Sequence, residues 1–292
     1  NPRLVSRGRE AVRPVSPRPN ILLITVDTLR ADYLGCYGHP FIQTPAIDRL
    51  AAGGILFEQA RSACFHTNPS FVSLLTSLSP FAHGLIGNEQ RLRIPLPCLP
   101  QILKELGYTT AAALSAYHLE NVMAGLGFWF DRYDKPLPMK IRPGSLTTSA
   151  AIRGLEQVMD RPFFYWVHYY DPHQPYQALG DYHGMYYQGD PSGADHHSMD
   201  QARFHSSWNA DSPDSWVRGI HDLDYFKKEY AAEVSYTDGQ IARLLEALHR
   251  LRLDRDTIVL FTADHGESLG EHGVYFDHWT QYDTDLHVPL IV

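Results

Sequence analysis

Cysteine is scarce: Cys36, Cys64 and Cys98 are the only three in 292 residues. An odd and widely spaced set offers neither a disulfide framework nor the paired spacing of a cysteine zinc site. Long apolar runs are missing too; no stretch approaches the roughly 18 residues that read as a membrane span. Cations are in deficit, with 25 Lys and Arg against 33 Asp and Glu and a net charge of −8. That balance speaks against a nucleic-acid-binding surface, so no nucleic-acid partner is expected. A protein of this charge that handles anions needs metal ions to invert the field locally. No internal repeat is visible.

What remains is an ordinary globular balance, 44% hydrophobic and 20% charged, enough for one large α/β domain or two small ones. Both ends look cut. The chain starts at Asn1 rather than Met, and its last five residues, Val288-Pro289-Leu290-Ile291-Val292, read as a strand with nothing after it. The expectation is a fragment, with a signal peptide or a C-terminal subdomain outside it. Residues 1–19 carry five Arg and four Pro and read as a flexible basic lead-in; residues 20–292 form the expected catalytic-sized domain.

Thr257-Ile258-Val259-Leu260-Phe261-Thr262-Ala263-Asp264-His265-Gly266-Glu267 is the stretch around which the rest is organised. A continuous apolar run without alternation suits a strand covered on both faces. It stops at Asp-His-Gly, and the carboxyl end of a buried strand is where open α/β sheets bind ligands. Asp-His-Gly alone reads equally well as a surface turn.

Further strands are expected at residues 20–26, 108–114 and 163–170, and helices at 45–53, 69–78, 99–106, 146–159 and within 223–251. Thr44-Pro45 supplies an N-cap residue followed by Pro at the first helical position. Strands alternating with helices imply a three-layer α/β/α fold around a mostly parallel central sheet. Residues 177–222, rich in Gly, Asp, His and Ser, read as a long lid-like surface insertion. Its His183, His196, His197, His205 and His221 are expected to be solvated rather than ligands.

Three strands end in acids: Asp27, Asp171 and Asp264. Parallel strands bring such ends to one edge, and with His173 and His265 beside them a carboxylate–histidine metal site is the better account. Singly, Asp27 reads as the cap of a turn, and so does Asp171-Pro172-His173. Thr67 precedes a helix, so the first-turn amides and the helix dipole aim at any anion its hydroxyl touches; as a plain N-cap it is equally respectable. His278, in Phe276-Asp277-His278-Trp279, reads by itself as a loop residue.

These motifs together resemble the sulfatase family of the alkaline phosphatase superfamily. The likeness runs from Asn20 to Val292 through residues 20–32 (Asn-Ile-Leu-Leu-Ile-Thr-Val-Asp-Thr-Leu-Arg-Ala-Asp), Gly35-Cys36-Tyr37-Gly38 and residues 44–51 (Thr-Pro-Ala-Ile-Asp-Arg-Leu-Ala). Pro69-Ser70, residues 73–76 (Ser-Leu-Leu-Thr), Glu233-Val234-Ser235-Tyr236, residues 262–267 (Thr-Ala-Asp-His-Gly-Glu) and residues 288–291 (Val-Pro-Leu-Ile) continue it. The resemblance implies that Asp27, Asp264 and His265 are metal ligands, that Thr67 stands at the nucleophile position, and that His118 and His173 lie near the substrate. His83, in a Pro-x-x-His-Gly segment, is expected to pack rather than catalyse.

Four departures are linked. The family's Cys, the source of formylglycine, is replaced by Thr67, with Cys64 three residues too early to substitute. Phe71 stands for an Arg, Ala116 for the Lys of Lys-Trp-His, and His278 for a later Lys. The expectation is that metal ions take over the charge stabilisation. One divalent ion would sit on Asp27, Thr67, Asp264 and His265, and a second on Asp171, His173 and His278. Carboxylates suit Mg, Ca or Mn, and imidazoles suit Zn. The sequence thus reads as a metal-dependent hydrolase of small-molecule or glycan anionic esters, leaning to phosphate or phosphonate esters. The alternatives are a sulfuric ester hydrolase working without formylglycine, and a non-catalytic binding module that kept the fold.

Overall fold

The structure is a computed structural model that describes residues 18–92, 96–119, 125–137, 140–200, 202 and 215–292. Most of the basic lead-in, and His205, lie outside the described residues. A six-stranded sheet runs through the centre in the order β3-β2-β4-β1-β5-β8. Its strands are β1 (Asn20–Val26), β2 (Thr109–Leu114), β3 (Arg132–Asp134), β4 (Phe163–Tyr169), β5 (Thr257–Ala263) and β8 (Leu290–Ile291). β1 lies between β4 and β5, parallel to both, and only β8 is antiparallel to its neighbour. A small antiparallel pair, β6 (Ser268–Leu269) and β7 (Tyr275–Asp277), stands apart.

Alternation along the strands feeds two cores. From β1, Leu22, Ile24 and Val26 enter one cluster with Phe163, Tyr165 and Val167 of β4; Leu23 enters the other with Phe164 and Trp166. Successive strand residues face opposite ways, so a sheet buried on both faces must be apolar in both registers. The first face is covered by α1 (Pro45–Gly53), α5 (Gly144–Val158) and α6 (Leu223–Arg250), and the second by α2 (Thr67–Thr76) and α4 (Leu99–Glu105). Two short helices, α3 (Pro80–His83) and α7 (Asp283–Leu286), complete the set among the described residues. The result is the expected three-layer α/β/α arrangement.

One helix boundary and one cap differ from the sequence reading in a way that matters. The helix expected from residue 69 begins at Thr67, with His66 at the N-cap and no side-chain cap bond. Pro69 is tolerated there because first-turn amides have no intrahelical acceptor. Thr44 does occupy the N-cap of α1, yet its hydroxyl caps nothing. It accepts from Gly35 N at 2.9 Å and donates to Asp48 Oδ1 at 3.1 Å.

The cap of α1 comes instead from the middle of α6. Asp238 Oδ1 accepts from Ile47 N at 2.8 Å and from Ala46 N at 3.1 Å. α6 buries other acids in the same manner: Glu233 takes the amide of Gln177 at 2.8 Å, and Glu229 takes that of Gly184 at 2.8 Å. A buried carboxylate is tolerable only where N–H groups replace its water. Hence the described part of the 177–222 insertion is strapped to α6. His183 reaches Glu229 at 2.9 Å and Tyr186 reaches Ser235 at 2.8 Å.

Burial pushes the Asp238 carboxyl up to about 6 from its ordinary 3.8, against the pull of the Ile47 and Ala46 amides. A raised folded-state value means that this group's contribution to stability is fully present below pH ~4 and lost as pH rises through ~6. Asp238→Ala should cost about 2 kcal/mol, measured by urea unfolding, and the gap from wild type should be wider at pH 4 than at pH 7. An equal gap at both would show that Asp238 does not titrate in that range.

Candidate metal centre and active site

Register brings the acids together. Val26 of β1 pairs with Ala263 of β5, so Asp27 and Asp264, the next residues, leave adjacent strands at the same level. Both are buried, as is His265. One ligand atom from each lies within 4.8 Å of the others. Among the described residues this is the one such set of three.

Asp264 and His265 each have one atom engaged by the protein and another left for the centre. Asp264 Oδ1 accepts from His265 N at 2.9 Å and from Thr28 N at 3.2 Å, while Oδ2 is buried without a hydrogen-bond partner. His265 Nδ1 lies 2.9 Å from the Gly266 carbonyl. A carbonyl only accepts, so Nδ1 carries the proton and the Nε2 lone pair is free for a cation. That Nε2 is 3.4 Å from Asp264 Oδ2, 3.8 Å from Asp27 Oδ1 and 3.3 Å from Thr67 Oγ1. Both Asp27 oxygens are likewise buried without a hydrogen-bond partner. Orphaned carboxylate oxygens facing a bare imidazole nitrogen form the donor set of a divalent-cation site.

The electrostatics fit that reading. Burial works to raise the Asp27 carboxyl, but the imidazoles of His118 and His168, 3.8 and 3.4 Å from Oδ2, hold it well below the usual range. Burial and the charge of Asp27 drive Asp264 well above it. Burial, then repulsion from His278, keeps His265 neutral. The backbone contributes too: Thr28 has φ of 53°, a left-handed conformation that is uncommon for a β-branched residue. Its N–H donates to Asp264 Oδ1. Nothing in the sequence signals this role for Thr28.

The other expected residues fall around this set. Thr67 opens α2 with its hydroxyl toward His265. His118 Nε2 lies 3.8 Å from Asp27 Oδ2. His173 stacks on Tyr170, with ring centroids 4.4 Å apart, and its Nδ1 donates to the Gln174 carbonyl at 3.0 Å. His278 sits 4.3 Å from the His265 ring and 5.5 Å from that of His173, with Nδ1 3.2 Å from Glu267 Oε1. Burial pushes His278 down to about 4. Asp171 is drawn elsewhere: its Oδ2 accepts from Gly144 N at the start of α5, at 3.1 Å. Asp171, His173 and His278 are therefore not gathered into a second compact set.

His83 packs, as expected, between Ser73 Oγ at 3.0 Å and Leu85 N at 3.1 Å. Two residues that sequence reasoning missed are buried at the site, His168 on β4 and Glu267 beside His278. The signal for His168 was present: a polar residue inside an otherwise apolar aromatic strand.

Fold and site together define a three-layer α/β/α protein of alkaline-phosphatase type, with a buried acid–acid–imidazole set at the carboxyl edge of its sheet. The sequence profile of the sulfatase family matches residues 19–292, and the chain belongs to that family. It is 30% identical to human iduronate 2-sulfatase over 93% of this chain and 59% of that protein. An ulvan-active sulfatase of Formosa agariphila is 27% identical over 94% of this chain and 56% of its own length. The fold also matches the crystal structure of the phosphonate monoester hydrolase of Agrobacterium radiobacter, with a TM-score of 0.72 and 22% identity over 94% of this chain and 68% of that one. The chain thus spans little more than half the length of these two curated relatives.

The site predicts a stability effect. An ion that binds only the folded state adds about 2.7 kcal/mol at 100-fold excess over Kd. Thermal unfolding with and without Zn²⁺, Mn²⁺, Mg²⁺ or Ca²⁺ should show a rise in Tm for wild type with at least one ion. Asp264→Asn should remove that rise, and a retained shift would place the ion elsewhere.

Proposed function

We propose that this chain is the catalytic part of a divalent-metal-dependent hydrolase of sulfate esters, with Thr67 as nucleophile and a small anionic or glycan ester as substrate. The observation that carries the reading is the convergence of Thr67 Oγ1 on the His265 nitrogen, 3.3 Å away, beside the two orphaned carboxylates. The family likeness supports sulfate over phosphate, since both curated relatives described above are named as sulfatases. It thereby displaces the lean toward phosphoesters that the sequence alone favoured.

A bound divalent ion would supply Lewis-acid polarisation of the ester and lower the pKa of the hydroxyl beside it. The chain's own residues do the rest. Asp27, Asp264 and His265 would hold the ion, and the start of α2 presents Thr67 with its first-turn dipole toward the anion. Thr67 Oγ1 bonds to sulfur as the sulfur–oxygen bond to the alcohol breaks. Its proton passes to a neighbouring imidazole and on to the departing alkoxide. Burial keeps His173 and His278 deprotonated, so an imidazole is available to accept. Water then cleaves the sulfated Thr67, releasing sulfate and restoring the hydroxyl.

A second reading, a phosphate or phosphonate ester hydrolase, is favoured by two features. The positions at which the family likeness expects cations are Phe71, Ala116 and His278, of which His278 is held neutral and the others carry no charge. A sulfated Thr67 also lacks the elimination route open to formylglycine hydrate.

Initial rates on matched aryl sulfate, aryl phosphate diester and aryl phosphonate, with each candidate ion, test the two. The expected result is the highest kcat/KM on the sulfate, with Thr67→Ala lowering kcat by at least about 1,000-fold. A higher value on either phosphorus ester establishes the second reading. Absence of turnover on all three points to a binding module, and wild-type activity in Thr67→Ala removes Thr67 as nucleophile.

A further inference from the structure

His168 has no role in the chemistry above, yet it is fully buried on the face of β4 that meets α2, with its ring edge-on to Phe71 at 4.9 Å. Its two nitrogens are committed differently. Nδ1 lies 3.0 Å from Thr25 Oγ1, whereas Nε2, buried without a hydrogen-bond partner, faces Asp27 Oδ2 at 3.4 Å. Trp166 Nε1 donates to the same Thr25 oxygen at 2.8 Å.

Donor chemistry orders this chain. An indole N–H only donates, so Thr25 Oγ1 accepts from Trp166 and has its own proton to give. It gives that proton to His168 Nδ1, which places the imidazole proton on Nε2, facing Asp27. The opposite tautomer would set a nitrogen lone pair against a carboxylate at a fully buried position, where an unpaired polar group is most costly. The geometry points to His168 as a positioning residue: locked by Trp166 and Thr25, it holds Oδ2 of Asp27 and so leaves Oδ1 toward His265 and Asp264 for a divalent cation. This extends the metal reading proposed above and rests on it. Partners that orient a ligand carboxylate from behind typically matter 10- to 100-fold in metal affinity.

The test has two arms. Histidine ¹⁵N correlation spectra of the ion-free wild type report the tautomer of His168, identified as the resonance lost in His168→Gln. Protonated Nε2 with bare Nδ1 is expected, and protonated Nδ1 overturns the assignment even if the variants fold poorly. Calorimetric titration with Zn²⁺ and with Ca²⁺ is the second arm. Gln can place an amide N–H near the position of Nε2, whereas the shorter Asn reaches only the position of Nδ1. His168→Asn is expected to weaken ion binding about 10- to 100-fold and His168→Gln to recover most of the loss. Equal binding by wild type, Asn and Gln proteins overturns the role of His168. A wild type that binds neither ion overturns the metal reading itself, which is a different result.

Discussion

Mutual repulsion between two buried carboxylates, Asp27 and Asp264, is the constraint on which the site depends. They end adjacent parallel strands, so the sheet brings them together whether or not their charges agree. The imidazoles of His118, His168 and His265 lie 3.4 to 3.8 Å from the Asp27 oxygens. Arg30, close in sequence, is spent on Asp32 at 2.7 Å and Glu271 at 2.9 Å. The protein therefore lowers the cost only halfway, by backbone N–H bonds to one oxygen of Asp264 and by histidines around Asp27. A compact cation is the species that removes the remainder.

The departures from the formylglycine pattern make sense together in this light. Phe71, which stands for an Arg, is buried against Trp166 with ring centroids 4.8 Å apart. An arginine in that apolar cluster would need a partner that the cluster does not contain. His278 likewise replaces a fixed cation by a neutral ring packed on His265. The α2 helix nevertheless keeps its start at Thr67, with the hydroxyl 3.3 Å from the His265 nitrogen. Charge has moved from side chains toward whatever binds between them.

A second use of buried acids holds the scaffold together. α6 carries Glu229, Glu233 and Asp238 on faces that an amphipathic helix would leave wet, and each meets backbone amides of a distant segment. The described insertion and the start of α1 are thereby fixed to one long helix. That helix also packs Val234, Ile241 and Leu244 into the core beneath the sheet.

What the sequence determined by itself is the periodicity and the order of parts. Apolar strands, helices between them and the family motifs were enough for the layered fold, for Asp27, Asp264 and His265, and for the position of Thr67. Those features are local, or repeat at strand ends, and so survive in one dimension. Tertiary structure decided the rest, because the decisive partners are far apart in the chain. Asp171 reads like Asp27 in sequence, yet it is consumed by the start of α5. Thr44 reads as a cap, yet Asp238, nearly 200 residues away, supplies it. Thr28 owes its role to Asp264, 236 residues distant, and His168 owes its role to Thr25, 143 residues distant. A residue type announces which bonds it can make, and only packing, by removing water and fixing neighbours, selects which one it makes.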